Sequence, residues 1–138
     1  MRTADIDLGR YRWRVLAFFE VGPKDGPQVL DALEGIDAPQ RVMEDAEELL
    51  SDGERYNFGL TYSNKREHAT VMVIGRHTSK SEFMDSIFHE VRHLSDHIAS
   101  AYGFPSGGEA VAYMTGAIAE RLTAYVRRYV CDCREHDR

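Results

Sequence analysis

Cysteine is scarce: the chain holds two, Cys131 and Cys133. They are too close together to close a stabilising loop and too few for a disulfide-built scaffold, so both are expected as reduced thiols. Long apolar runs are missing too. Stretches such as Val71 to Ile74 fall far short of the roughly 20 residues that cross a bilayer. Asp5 and Asp7 stand where a secretory signal needs an unbroken apolar segment, and a cytoplasmic location is expected. There is no basic excess: 17 Lys and Arg against 23 Asp and Glu give a net charge of −6. That balance repels phosphate backbones and anionic lipid, so neither nucleic acid nor membrane is an expected partner. Repeats, low-complexity tracts and Pro/Gly/Ser-rich linkers are also lacking. What is present is ordinary for a globular protein, with 43% apolar and 29% charged residues in 138. One domain over 1–138 is expected.

Hydropathy alternation gives the elements. Tyr11, Trp13, Val15, Ala17, Phe19 and Val21 form one apolar face of a first strand that Gly22-Pro23 ends. Two short helices should follow, near Pro27 to Leu33 and Ala38 to Leu50, with Asp37 and Gln40 spaced as a capping box. Tyr56, Phe58, Leu60 and Tyr62 alternate again, and a polar turn at Ser63-Asn64-Lys65-Arg66 leads into the β-branched run Thr70 to Ile74, which reads as a hairpin. Two long helices complete the chain. The first runs from about Lys80 to Ala101, with Ser79 and Glu82 as its capping box, and the second from about Gly108 to Val130. The expected fold class is α+β, a small mixed or antiparallel sheet of about three strands packed on helices. Residues 1–78 supply the sheet and short helices, 79–130 an antiparallel helix pair, and 131–138 a tail.

His89-Glu90-Val91-Arg92-His93 spells H-E-x-x-H within the first long helix. Residues four apart lie one above the other on a helix, so two imidazoles can grip one ion. Zinc accepts neutral imidazole, and an open position on it holds a water whose pKa falls to about 7. Glu90, roughly 100° round the helix from His89, can face that water as general base without occupying the metal. A chance match in a chain of this composition has a probability of about 2%, so placement has to supply further support. At 100° per residue Met84, Ile87, Phe88, Val91, Leu94 and Ile98 form an apolar stripe, with His89, His93 and His97 opposite. A catalytic zinc needs a third protein ligand, and Glu109 opens the next helix sixteen residues after His93.

These residues resemble the zincin metallopeptidases of the gluzincin type, in which H-E-x-x-H is followed on a later helix by a glutamate ligand. His89, Glu90, His93 and Glu109 carry the match, over about residues 80–125. Gly108 to Tyr113 looks like the E-A-x-A-[FY] stretch of small intracellular zincins, and the Leu-Ser-Asp-His stretch after His93 is similar to short phage-encoded proteins. The resemblance implies a Zn2+ metallopeptidase with a peptide or protein substrate. It also implies an exposed strand that lines the cleft and pairs with extended substrate, for which Thr70 to Ile74 is the candidate. Larger gluzincins carry an aspartate four residues after the glutamate; this chain has Tyr113, whose hydroxyl could orient a ligand or stabilise an oxyanion.

Other residues compete for these roles. Glu120 shares a helix face with Glu109 and rivals it as third ligand; the resemblance favours Glu109. His97 lies about 12 Å along the axis from His89 and is assigned to the cleft wall or surface. Asp96 could bond a ligand histidine or simply be exposed. Arg76 and His77 could stabilise an oxyanion. Cys131 and Cys133 with His136 lack the usual zinc spacing and read as a solvated tail. The face Val111, Met114, Ile118, Leu122, Tyr125 and Tyr129 is core-like and could also serve a homodimer. The alternative to a peptidase is a non-catalytic zincin-like binding or accessory protein, with or without zinc. The plainest reading is a helical protein in which the motif is coincidence.

Overall fold

The computed structural model describes residues 1–131, so Cys133 and His136 lie outside the described residues. Four strands form one sheet: β1 (Arg2–Asp7), β2 (Arg14–Val21), β3 (Gly59–Asn64) and β4 (Ala69–Gly75). The helices are α1 (Gly26–Gly35), α2 (Gln40–Ser51), α3 (Lys80–Tyr102) and α4 (Glu109–Val130). The spatial order is β1-β2-β4-β3, with β2 and β4 parallel and the outer pairs antiparallel. The α+β class and the mixed sheet are as the sequence indicates, with one strand more than expected. β1 escapes the periodicity reading because its inward residues are only Ala4 and Ile6, between Thr3, Asp5 and Asp7.

The sheet separates two apolar cores. Trp13, Val15, Ala17, Phe19, Met72 and Ile74 face α3 and α4, whereas Phe18, Val71 and Val73 face α1 and α2. Val21 belongs with the second group, against the strict alternation expected. A register shift between Phe18 and Val21, with Glu20 at φ 60°, flips the side-chain parity at the end of β2.

α3 starts where Ser79 accepts a hydrogen bond from the Glu82 amide and stops at Gly103, whose φ of 74° suits glycine. The Asp37/Gln40 box does not form. Pro39 takes the cap position of α2 without a side-chain bond, and Asp37 sits at φ 57° in the turn before it. One stripe residue is also corrected. Phe88 is 66% exposed, and Phe83 is the aromatic that fills the core beneath α3, against His77 and Tyr129. Position 88 lies about 100° from Ile87, whereas 83 lies about 40° from it on the other side. Among the described residues, no helix is long and apolar enough to cross a membrane.

Candidate functional site

The strand β4 expected to line a cleft is interior, bonded to β2 on one side and β3 on the other. The exposed edge next to α3 is β3. Its residues Leu60 and Tyr62 pack toward α1 and α2, so the opposite parity, Gly59, Thr61 and Ser63, faces α3.

That face of β3 holds Glu90. The carboxylate is 4% exposed, and its Oε1 accepts a 2.7 Å hydrogen bond from Thr61 Oγ1. Its backbone neighbour is Gly59, where a Cβ would lie 2.7 Å from Glu90 Cδ, so the side chain lies against the strand only because position 59 is glycine. Oε2 is 3.9 Å from His89 Nε2. The His89 and His93 Nε2 atoms turn toward each other at 3.1 Å, with the His89 side chain 65% exposed. Two imidazole nitrogens each about 2.0–2.1 Å from a tetrahedral zinc would lie roughly 3.3 Å apart, so the pair fits one ion with little adjustment. A cavity of about 280 Å³ opens beside them, lined by Arg55, Tyr56, Gly59, Asp85, His89 and Glu90 among others.

The structure does not bring Glu109 to this pair. Thr115 Oγ1 donates to Ser95 Oγ at 2.9 Å, which fixes the register of the antiparallel helices. Six residues from that contact, Glu109 is abreast of Ala101, about 12 Å along the axis from His93. Glu120 is abreast of Glu90, yet α4 runs along the Ser95 flank of α3, about 120° to 160° round the helix from His89 and His93. Both glutamates are exposed. Tyr113 is 71% exposed and lines a different cavity, with Arg10 and Arg12. Among the described residues, no three His, Cys, Asp or Glu side chains are grouped to hold a metal.

His97 is half-buried in the wall beside the pair, its ring centroid 6.2 Å from that of His93. Its Nδ1 ends a polar chain through the sheet. Trp13 Nε1 donates to Thr70 Oγ1 at 2.8 Å, Thr70 Oγ1 meets Ser63 Oγ at 2.7 Å, and Ser63 Oγ meets His97 Nδ1 at 2.7 Å. Either hydroxyl can donate in the Thr70–Ser63 contact, and His97 Nδ1 can accept from Ser63 or donate to it. Burial first, then His93 and Lys65, lower the His97 pKa from 6.5. Asp96 pairs with Arg92 at 3.1 Å. His77 packs on Phe83 and Tyr129, and Arg76 stacks on Tyr56 and donates to the Gly53 carbonyl, so neither is gathered with the histidine pair.

Gly59, Thr61 and Ser63 are the site residues that the motif alone does not reveal. The signal for them is the polar parity of the strand whose apolar parity is plain. No family model, characterised protein or solved structure matches this chain.

Proposed function

We propose that this protein is a zinc-dependent hydrolase of the zincin kind that cuts peptide bonds, with His89 and His93 as metal donors and Glu90 as general base. The observation that carries this reading is the convergence of two Nε2 atoms at 3.1 Å beside a buried carboxylate. When bound, zinc lowers the pKa of a coordinated water to about 7 and polarises a carbonyl. Thr61 occupies Glu90 Oε1 and leaves Oε2, on the His89 side, to accept a proton. β3, a sheet edge, offers unpaired backbone groups to an extended peptide, which can add as a further strand next to the histidines. Glu109 takes no part in the arrangement described, so His89 and His93 supply two of the three protein donors that a catalytic zinc takes.

Glu90→Gln should retain zinc and lose hydrolysis of a broad peptide library by at least about a hundredfold. Hydrolysis undiminished in that variant would remove the mechanism. A second reading, a zincin-like binding protein without turnover, is favoured by the covering of Glu90 and by the gathering of two donors rather than three. It predicts zinc bound at His89 and His93, no cleavage by the unmodified chain, and peptide binding indifferent to Glu90→Gln.

A further inference from the structure

A second concavity, of about 620 Å³, lies at the other end of the helix pair, where α3 ends and α4 begins. It is thirteen residues, about 20 Å along α3, from His89. Its lining combines rings with cations: Tyr102, Phe104 and Tyr113 with Arg10 and Arg12.

The rings form a prepared surface. Tyr102 and Phe104 stack with centroids 5.7 Å apart and planes 23° from parallel. Tyr102 is fixed from behind, its hydroxyl donating to the Tyr11 carbonyl and its ring packed on Trp13 and His68. Tyr113 adds a ring that is 71% exposed.

The cations are uncommitted. Among the described residues neither Arg10 nor Arg12 pairs with a carboxylate; Arg10 lies over the Tyr11 ring at 5.9 Å. In a chain of net charge −6, two such arginines in one hollow make a local positive field. Arg12 is held at φ 51°, a backbone conformation unfavourable for a residue with a side chain. Ala110, in the first turn of the 22-residue α4, also lines the hollow, and that helix start has no side-chain cap. Its free amides and dipole favour an anion, partly offset by the Glu109 carboxylate in the same turn.

We infer that this hollow binds a nucleoside monophosphate, its base stacked on the tyrosine and phenylalanine rings and its phosphate held by Arg10 and Arg12. The volume suits such a ligand, since small-molecule sites span about 300–1,000 Å³. A planar ring bearing an anionic group uses both halves of the lining at once, through stacking and through bidentate guanidinium contacts.

Calorimetric titration of the full chain with adenosine 5′-monophosphate tests this. EDTA is present so that phosphate cannot report on a metal, which makes the outcome independent of the zinc reading. Saturable binding is expected, with inorganic phosphate and adenosine each at least about tenfold weaker. Arg10→Gln with Arg12→Gln should weaken the nucleotide by about tenfold or more at an unchanged circular dichroism spectrum. Tyr113→Ala, which leaves both arginines, should weaken the nucleotide while leaving phosphate unaffected. No binding at millimolar nucleotide, affinity equal to that of phosphate, or indifference to both sets of substitutions would overturn the assignment.

Discussion

Glu90 stays against β3 because of two neighbours, and each gives a distinct expectation. Gly59→Ala places a methyl group into the carboxylate and should cost about 1–3 kcal/mol in urea unfolding, through overpacking or expulsion of the side chain. A neutral substitution would mean that Glu90 does not rest on the strand. Thr61→Val removes the one side-chain donor to Oε1 among the described residues and should cost about 1–3 kcal/mol, the penalty of a buried acceptor left unpaired. Tyr129 gives a pH expectation. Among the described residues its buried hydroxyl has no partner, and burial first, then Glu20, raises its pKa above the ordinary 10.0. The fold favours the neutral phenol, so this contribution is fully present below the unfolded pKa of about 10 and is lost as pH rises through the raised folded value. Tyr129→Phe keeps the ring packing on Phe19 and Phe83. Melting temperatures from pH 7 to 11 should show it no less stable at neutrality and less sensitive to alkali; an unchanged alkaline slope would contradict this.

Among the elements, α3 was legible in the sequence and its surroundings were not. Its cap, its extent and the placing of both histidines opposite the apolar stripe follow from period and capping chemistry, which act within one turn. Which aromatic enters the core depends on the neighbouring helix: Phe83 meets Tyr129 of α4, while Phe88, at the stripe margin, meets solvent. Phe83→Ala should therefore cost about 3–5 kcal/mol in denaturant, and Phe88→Ser stay within about 0.5 kcal/mol. Equal costs would show the helix rotated from the position described. The docking of α4 was hidden for a related reason, since spacing fixes how far along the chain Glu109 lies but not the flank of α3 against which its helix packs. The Ser95–Thr115 contact decides that. Zinc affinity measured with Glu109→Gln should accordingly equal that of the unmodified chain, whereas a loss of tenfold or more would place α4 on the histidine side.

For the whole molecule, the order β1-β2-β4-β3 matters most, because it buries the strand with the strongest β signal and leaves β3 as the edge beside α3. Strand order depends on pairings distant in sequence, such as that of β2 with β4, so β3's edge position could not be read from local alternation. Two separate features result: a histidine pair with an open sheet edge on one flank of α3, and a ring-lined cationic hollow at the far end of the helix pair. His89 and His93 are proposed to hold one metal ion jointly. The most direct measurement is the zinc-to-protein ratio by mass spectrometry, on untagged chain dialysed against dilute zinc and then freed of excess, with His93→Ala in parallel. About one zinc per chain is expected, lost in the variant. No zinc in the unmodified chain, or the same amount in both, would contradict joint binding.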